Sequence, residues 1–508
     1  MSLLAVDMGT SSCKAVAFSE DGLTLAQKTY SYSPESPHPS WIEMSPEKFW
    51  RALLAVTRSI AADVTSDPVE VLAISSHGET FVPVDSHQCA IGPAILNADN
   101  RAVAEANRLA EAIGRVRLFE ITGLAVHSMY PLAKMLWLRV HQPDVFSSTA
   151  CFLTLPGYLL TRLGLPPYVD YSLASRFLAF DIRKRTWSAE ILSACELCPE
   201  QFPTPVPAGT IAGKLAADIA GDLGLRAGTP VVVGGHDQPC AALGSGVLDP
   251  GRVSASFGTY ECLVAASEAP ALTEKALTAN LNSYCHVVPD RYVTLAYFPS
   301  GIMIEWFLRL IHSAGELLES SVGELCSALE AHAPQGPTGL CITPHLLGTS
   351  NPDFDPNATG VIAGIRPTTS RSDLYKGILE GIACEFANMA ELLQQAAGAY
   401  SGIYISGGGG RSRLGLKLRA ALAGRELHLM RCPEAVCLGT AILAGIAVGK
   451  YSSFAQAVER VVRVSETIGS DAATAQSYEA QTLQYRVLYS SLAPVRHAQP
   501  AYNYRRRK

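Results

Sequence analysis

A polar turn close to the start of the chain has residue types that suit phosphate binding. Asp7 ends an apolar run, Gly9 follows it, and Lys14 lies beyond the turn. Three hydroxyl residues fill the turn: Thr10, Ser11 and Ser12. Glycine lets backbone N–H groups approach phosphate oxygens, hydroxyls donate further hydrogen bonds, and lysine offsets phosphate charge. The turn predicts a phosphate site at which Asp7 holds Mg²⁺ through water, although a plain solvent-facing hairpin would have the same residues.

The other half of the chain contains a second turn of this kind. Residues 253–257 and 262–265 have the composition of two strands, and Gly258-Thr259 lies between them. The first turn is flanked in the same way, by residues 3–7 and 14–18. Repetition over this distance indicates a duplicated domain and two related lobes, with a triphosphate held between donors from both.

A glycine-rich segment is the third candidate. A run of four glycines at 407–410 follows a predicted strand and precedes a predicted helix at 412–423. Because glycine has no Cβ, a flat adenine ring could approach the backbone closely here. The candidates for nucleotide contact are Gly407, Gly408 and Gly409. The composition is equally consistent with a flexible turn.

Asp237 is the candidate for the chemical step. It follows the apolar residues 231–233, which predict a strand, and it precedes a helix of small residues predicted at 239–244. A carboxylate at a strand end beside a cleft can accept the proton of an attacking hydroxyl as its oxygen moves in line towards phosphorus. The alternative is that Asp237 caps the helix, which aspartate does well.

Two further polar groups suit a polyhydroxylated ligand. His77 and Glu79 follow a predicted strand at 71–75, and Asp99 and Arg101 come shortly after them. Closely spaced donors and acceptors of this kind can bind sugar hydroxyls. A single histidine after a strand is more often structural, so His77 gains weight only from Glu79 and the residues downstream.

The elements that position these residues alternate between strands and helices. Residues 46–62 and 102–112 have helical periodicity, whereas 71–75 and 231–235 are short β-rich runs. This interleaving predicts an α/β chain. A length of 508 residues favours two substantial domains, and two domains imply a cleft between them.

The amino-acid composition indicates which class of partner the chain binds. The chain is 48% hydrophobic and 17% charged, and its formal net charge of -6 offers no basic surface to nucleic acid or anionic lipid. Scattered cysteines fit a reducing compartment, and no leader or long apolar run is evident. We therefore expect a cytoplasmic protein whose partner is a small molecule, with no nucleic acid and no membrane.

The ordered set of motifs resembles the FGGY family of carbohydrate kinases, along nearly the whole chain up to about Gly449. Besides the turns, the matching segments are 99–101, 130–137, 170–175, 235–238, 257–259, 379–383, 407–410 and 438–441. The resemblance implies an α/β fold with two lobes of the actin-like, ribonuclease H-like ATPase type and a central cleft. We expect an N-terminal sugar-binding lobe over 1–248, a C-terminal nucleotide-binding lobe over 249–455, and a C-terminal helix and tail over 456–508.

The resemblance also implies roles for individual residues. Asp237 would be the catalytic base, and Asp7 would lie near Mg²⁺. The phosphates of ATP would face Thr10, Ser11, Ser12, Lys14, Gly258 and Thr259. The rest of the nucleotide would be lined by Gly407, Gly408 and Gly409. The sugar would be surrounded by His77, Glu79, Asp99, Arg101 and Gln238.

The expected activity is transfer of the γ-phosphoryl group of ATP to a hydroxyl of a small sugar, with a ketopentose such as xylulose favoured. His77-Gly78 matches the xylulokinase pattern, whereas Glu79-Thr80 and Asp237-Gln238 match glycerol kinases, so glycerol or another polyol stays open. An actin-like ATPase without a sugar acceptor would share the two turns but would not need the polar groups around His77. ATP and Mg²⁺ are the expected cofactors, and a homodimer is one assembly left open.

Overall fold

The fold is described from a computed structural model that covers residues 2–312, 321–407, 412–492 and 494. Its strands, numbered along the chain, are β1 Ser2–Met8, β2 Ser12–Phe18, β3 Thr24–Ser31, β4 Glu43–Met44, β5 Val69–Ser76, β6 Phe81–Val84, β7 Ala94–Ile95, β8 Cys151–Thr154, β9 Tyr168–Asp170, β10 Phe180–Asp181, β11 Thr186–Trp187, β12 Thr204–Val206, β13 Ile211–Lys214, β14 Pro230–His236, β15 Arg252–Phe257, β16 Tyr260–Ser267, β17 Asn282–Cys285, β18 Tyr292–Pro299, β19 Cys341–Thr343, β20 Val361–Ala363, β21 Gly402–Ser406, β22 Glu426–Met430 and β23 Val464–Ile468.

The helices, numbered in the same way, are α1 Pro46–Asp63, α2 Val103–Leu109, α3 Arg115–Thr122, α4 Pro131–His141, α5 Pro143–Ser148, α6 Leu155–Arg162, α7 Tyr171–Ser175, α8 Ala189–Ala194, α9 Ala217–Leu223, α10 Asp237–Gly244, α11 Glu274–Thr278, α12 Gly301–Ile311, α13 Val322–Ala331, α14 Arg371–Ala397, α15 Arg413–Ala423, α16 Ala435–Ala447, α17 Phe454–Val461, α18 Ala472–Ser477 and α19 Glu479–Ser491. A π-helical turn, Ala110–Gly114, follows α2, so the helix predicted at 102–112 is divided. A 3₁₀ turn lies at Pro199–Gln201. Across the described ranges, none of the helices combines the length and the apolar character needed to cross a membrane.

The first lobe is built on a six-stranded sheet in the order β13-β14-β5-β1-β2-β3. β1 forms an antiparallel hairpin with β2 and pairs in parallel with β5, which pairs in parallel with β14. β1 and β5 are buried almost throughout, because apolar residues on both of their faces are covered by packed elements. The three parallel strands end at the same edge, where Ser76 is paired with both Met8 and His236.

The second lobe repeats this arrangement in a seven-stranded sheet with the order β17-β18-β16-β15-β21-β22-β23. β15 forms an antiparallel hairpin with β16 and a parallel pair with β21, as β1 does with β2 and β5. β22 extends the parallel part, and the antiparallel β23 closes the edge as β13 does in the first lobe. The predicted α/β fold with two related lobes is therefore confirmed.

The end of the described chain is integrated into the second lobe. β23 is an edge strand of the second sheet, although it falls within the segment for which the sequence predicts a helix and tail. α19 then packs back onto α14, where the hydroxyl of Tyr485 donates to Glu385 at 2.6 Å. Gln481 donates to Glu380 of the same helix at 2.8 Å.

Two helices hold the lobes together through close backbone contact. α10 follows β14 of the first lobe, and α16 follows β22 of the second. A Cβ on Gly244 would lie 2.0 Å from the carbonyl oxygen of Ala435. A Cβ on Gly439 would lie 1.9 Å from the carbonyl oxygen of Cys240. Only glycine permits this approach, and the contact anchors α10, at whose start Asp237 lies.

Candidate active site

Asp237 occupies the first position of α10, directly after β14. β14 is buried because its apolar residues lie between neighbouring strands and covering helices. Gly234 lets it approach β5, since a Cβ there would lie 2.3 Å from the carbonyl oxygen of Ile74. Asp237 is thus held at the edge where β1 and β5 also end, and 23% of its side chain is exposed.

His236 contacts the carboxylate of Asp237. Its Nε2 lies 3.1 Å from Asp237 Oδ1, and its Nδ1 lies 2.9 Å from the hydroxyl of Tyr284. Burial lowers the pKa of His236 well below its ordinary value, and the charge of Arg176 lowers it further, so the ring is neutral. When Tyr284 donates to Nδ1, the ring proton lies on Nε2, the nitrogen that contacts the carboxylate. The hydrogen bond between Tyr284 and His236 crosses from the second lobe to the first.

The surroundings of Asp237 shift its acidity towards that of a general base. Burial raises the pKa of Asp237 well above its ordinary value, and the charges of Asp7 and Glu79 raise it further. The N–H of Gln238 and the charge of Arg176 act in the opposite direction. A carboxylate with a raised pKa accepts a proton more readily, which is what general-base catalysis requires.

His77 is buried in the turn after β5, and both of its ring nitrogens are engaged. Nδ1 lies 2.8 Å from the carbonyl oxygen of Met8, and Nε2 lies 2.7 Å from the hydroxyl of Thr80. Burial lowers the pKa of His77, so this ring is also neutral. Glu79 has a φ of 59°, a left-handed conformation that is uncommon for a residue with a side chain. The turn therefore fixes both side chains.

Arg176 contacts Glu79 from the end of α7. Its Nε donates to Glu79 Oε1 at 2.5 Å, and its Nη2 also contacts that oxygen. The guanidinium carbon lies 5.3 Å from the ring centre of Tyr130 and 4.7 Å from that of Tyr284. Gly78 leaves room for this side chain, since a Cβ there would lie 3.1 Å from Arg176 Cγ. Because Tyr284 belongs to β17, the arginine lies where the two lobes meet.

Asp99 and Arg101 form a buried brace. Arg101 Nε lies 2.9 Å from Asp99 Oδ1, and its Nη2 lies 2.6 Å from Glu43 Oε1. The other Asp99 oxygen accepts the N–H of Ile42 at 2.6 Å. The guanidinium carbon of Arg101 also lies 4.1 Å from the ring centre of Trp41. With side-chain exposures of 0% and 1%, Asp99 and Arg101 are engaged with one another rather than facing open space.

Gln238 and the second turn connect the first lobe to β15. Gln238 Oε1 accepts a hydrogen bond from the hydroxyl of Ser256 at 3.2 Å. Gly258 and Thr259 follow at the tip of the β15–β16 hairpin, and both are exposed. The N–H of Gly258 donates to the carbonyl oxygen of Tyr260 at 3.0 Å, which fixes the tip.

Gly407 packs against the second turn. Its φ is 89°, and a Cβ there would lie 2.7 Å from the carbonyl oxygen of Phe257. Its N–H donates to the carbonyl oxygen of Pro433 at 3.1 Å. The structure thus brings this predicted residue beside Gly258, whereas Gly408 and Gly409 lie outside the described residues.

The first turn is stabilised by backbone contacts. The N–H of Gly9 donates to the carbonyl oxygen of Ser12 at 2.9 Å, and the hydroxyl of Tyr32 donates to the carbonyl oxygen of Gly9 at 2.6 Å. Ser11 is exposed, whereas Thr10 and Ser12 are half-buried. The three hydroxyls predicted to contact phosphate therefore lie on a fixed turn.

Lys14 pairs with Glu434, which lies just before α16. Lys14 Nζ lies 2.5 Å from Glu434 Oε2. Although burial lowers the pKa of Lys14, the hydrogen bond and charge of Glu434 raise it above its ordinary value. Burial raises the pKa of Asp7 to about 6, against the lowering effects of Lys14 and of a hydrogen bond from Ser75. The turn therefore has a cation, and beside it a carboxylate that a second cation would stabilise.

The structure adds three residues to the site that the sequence did not single out. Tyr284 and Glu434 lie far along the chain from their partners, and no local pattern marks them. Arg176 could be found from the sequence, because it is an isolated charge in the apolar run 173–180, directly after a segment that matches the family. A charge in such a run is rarely buried without a partner.

Comparison with known proteins agrees with this geometry. Residues 2–244 match the model of the FGGY family of carbohydrate kinases, N-terminal domain, and residues 253–448 match that of the C-terminal domain. The xylulose kinase of Escherichia coli K12 is 28% identical over 97% of this chain and 99% of that protein. The gluconokinase of Bacillus subtilis 168 is 24% identical over 92% of this chain and 90% of that protein.

A solved structure has the same fold over the same length. The crystal structure of xylulose kinase from Rhodospirillum rubrum is 26% identical, with a TM-score of 0.86 over 98% of this chain and 100% of that one. The two family models together span both lobes and both turns, and the family consists of enzymes that transfer a phosphoryl group to a sugar hydroxyl. The chain belongs to the FGGY family of carbohydrate kinases and is an ATP-dependent sugar kinase.

Proposed function

We propose that the chain transfers the γ-phosphoryl group of ATP to a primary hydroxyl of a ketopentose such as xylulose. The observation that carries the proposal is the position of Asp237, a carboxylate with a raised pKa that lies at the meeting point of the two lobes, in contact with His236. Relatives named xylulose kinase, similar over nearly the full length, support the choice of sugar.

In the proposed reaction Asp237 acts as the general base. The proton of the sugar hydroxyl moves to the Asp237 carboxylate as the oxygen forms a bond to the γ-phosphorus, and the bond from that phosphorus to the leaving oxygen of ADP breaks. His236 lies beside the carboxylate, with its Nε2 3.1 Å from Asp237 Oδ1. Closure of the two lobes would exclude water, which otherwise competes as acceptor.

The nucleotide is proposed to lie between the two turns. On the first turn, the phosphate donors are Thr10, Ser11, Ser12 and Lys14. On the second side they are Gly258, Thr259 and Gly407, with Gly408 and Gly409 extending the adenine site as predicted from the sequence. Lys14 would exchange Glu434 for phosphate oxygens, because both partners are anionic.

Asp7 is the proposed contact to Mg²⁺. Mg²⁺ keeps several waters and binds through one or two carboxylates plus phosphates, and a single buried carboxylate beside the first turn fits that requirement. The raised pKa of Asp7 supports the assignment, since burial makes its charge unfavourable until a cation offsets it. When bound, the ion would neutralise charge on the phosphates.

The sugar is proposed to lie on the first lobe, near Asp237. His77, Glu79 and Gln238 lie in the turns that meet there, and Asp99 and Arg101 would support those turns from behind. The division into a sugar lobe over 1–248, a nucleotide lobe over 249–455 and a C-terminal helix and tail over 456–508 stays a prediction, and β23 joins the last part to the second sheet. A homodimer and a cytoplasmic location remain predictions from sequence.

Two other activities were compatible with the sequence. The family assignment removes the actin-like ATPase without a sugar acceptor. Glycerol or another polyol is less well supported than a ketopentose, because the full-length relatives named here phosphorylate xylulose or gluconate by their names.

A panel of acceptors tests the proposal. Release of ADP is measured with xylulose, ribulose, glycerol, gluconate and no acceptor, at fixed ATP and Mg²⁺. We expect the highest kcat/KM with a ketopentose and little release without acceptor. A highest value for glycerol or gluconate would show that the proposed substrate class is wrong, and EDTA should stop the reaction if Mg²⁺ is required.

A further inference from the structure

Arg176 differs from the other buried arginines in having a fully enclosed donor without an acceptor. Arg101, Arg176 and Arg419 are the buried arginines of the described chain, with exposures of 8%, 3% and 3%. Arg101 is taken up by Asp99 and Glu43, and Arg419 by Glu261 and the carbonyl oxygen of Gly415. In contrast, Nη1 of Arg176 is fully enclosed and has no hydrogen-bond partner within the part of the chain that the structure describes.

The surroundings explain why this donor stays unused. Glu79 occupies Nε and Nη2, on the other edge of the guanidinium. The hydroxyl of Tyr130 donates its own proton to Asn282 Oδ1 at 3.2 Å, and its oxygen is a weak acceptor near the guanidinium that does not satisfy Nη1. Tyr284 covers one face of the group from the second lobe. An enclosed N–H without an acceptor destabilises the fold, so an acceptor supplied by a ligand would offset that cost at Nη1.

Arg176 lies beside residues of the candidate active site. Its charge acts on both Asp237 and His236. Its aliphatic part fills the space beside Gly78, which lies between His77 and Glu79. Because Tyr284 belongs to the second lobe, Arg176 lies at the boundary between the lobes, where a bound sugar could accept from Nη1.

The charges around Arg176 determine which acceptors it can bind. Glu79 balances the positive charge of Arg176, and the rings of His77 and His236 are neutral. The other nearby cation, Lys134, is fully buried and donates to the carbonyl oxygen of Leu96 at 2.6 Å. An acceptor with a carboxylate would therefore meet Asp237 and Glu79 without any free cation, whereas a neutral hydroxyl or carbonyl oxygen needs only a donor.

We propose that Arg176 is a substrate-binding residue whose Nη1 donates to an oxygen of the sugar, and that its pairing with Glu79 restricts the site to uncharged acceptors. The inference rests on the proposed function, since it concerns the acceptor of the same reaction. It distinguishes this chain from a kinase for sugar acids such as gluconate, because there the guanidinium would have to be free to pair with the carboxylate of the acceptor.

Steady-state kinetics with xylulose and gluconate test this proposal. Arg176→Met should raise the KM for xylulose by about 10- to 100-fold and leave the KM for ATP within about twofold, since it removes one sugar contact. Glu79→Gln should free the guanidinium charge and raise the ratio of kcat/KM for gluconate over xylulose by at least about tenfold. Arg117→Met, which breaks an exposed pair with Glu190, is the control and should change neither.

Each outcome decides the proposal. An unchanged KM for xylulose in Arg176→Met, or an unchanged substrate ratio in Glu79→Gln, would overturn it. If Arg176→Met fails to fold, Arg176→Lys keeps the charge and loses the planar pair of donors, and it should still raise the KM for xylulose. A wild type that prefers another uncharged sugar would contradict the ketopentose but support the inference if the variants shift that sugar. A wild type that prefers gluconate would overturn both.

Discussion

The two hairpin turns share one backbone frame and differ in charge. In the first lobe Asp7 is paired with Lys14 across the hairpin, whereas Ser256 is paired with Cys262 in the second. Asp7 and Ser256 each lie two residues before the glycine of their turn. The second turn therefore offers backbone and hydroxyl donors, and the first adds charge. We infer that both copies kept the backbone geometry for binding phosphate. Only the first copy provides side-chain charges that can act on the charge of the phosphate.

Removing Lys14, the cation of the first turn, should have the largest effect on activity, because it removes a charge by which the two turns differ. Lys14→Met is expected to lower kcat/KM for ATP by about 100-fold or more, because a charge-assisted contact to the phosphates is lost. The matched control is Lys28→Met on β3, where Lys28 pairs with the exposed Asp63. A fall of less than about threefold in Lys14→Met would contradict the assignment.

Displacing the second turn should have a smaller effect, confined to nucleotide binding. Gly407→Ala would place a Cβ 2.7 Å from the carbonyl oxygen of Phe257, so the turn must move. We expect the affinity for ADP, measured by calorimetry, to fall about tenfold. Gly449→Ala is the control, because Gly449 also has a positive φ of 75° but has no atom within 4 Å of its Cβ position. Equal effects in the two variants would attribute the loss to backbone strain alone.

The tips of the two turns should tolerate a methyl group differently. A Cβ on Gly9 would lie 3.0 Å from the carbonyl oxygen of Ser12, whereas one on Gly258 would lie 3.7 Å from that of Tyr260. Gly9→Ala should therefore raise the KM for ATP several-fold, and Gly258→Ala should raise it less. The reverse order would show that the second tip approaches the nucleotide more closely than the first.

The smallest expected effect concerns the stability of the chain without ligands. Because burial raises the pKa of Asp7 to about 6, the folded state binds this proton more tightly than the unfolded state does. The resulting stability is present below about pH 4 and is lost as the pH rises through 6. Relative to Asp7→Asn, the wild type should lose about 3 kcal/mol over that range, measured by urea unfolding. A constant difference would contradict the raised pKa.

The sequence predicts the hairpins well because their information is local. Short apolar runs specify β1, β2, β15 and β16, and the glycines between them specify the turns. The likeness of the two copies then indicates the two-lobed fold. Asp237 is also recoverable, because it directly follows a buried strand whose end must lie at the sheet edge.

The sequence is less informative about side chains whose partners lie far away along the chain. Asp99 and Arg101 have residue types that suit a sugar, but Glu43 and Trp41 engage them from a distant segment. Glu434 likewise meets Lys14 only because α16 packs against the first lobe. Whether a buried donor such as Arg176 Nη1 has an acceptor depends on all of its neighbours together, so only the structure shows it.

The central claim is that Asp237 accepts the proton of the sugar hydroxyl. Its most direct test is single-turnover phosphoryl transfer from labelled ATP to xylulose by Asp237→Asn, with the surface variant Asp249→Asn as control. We predict that the rate falls by at least about 100-fold while the affinity for ADP stays within about threefold, because Asn keeps the shape and cannot accept the proton. A rate within about tenfold of the wild type would contradict the account.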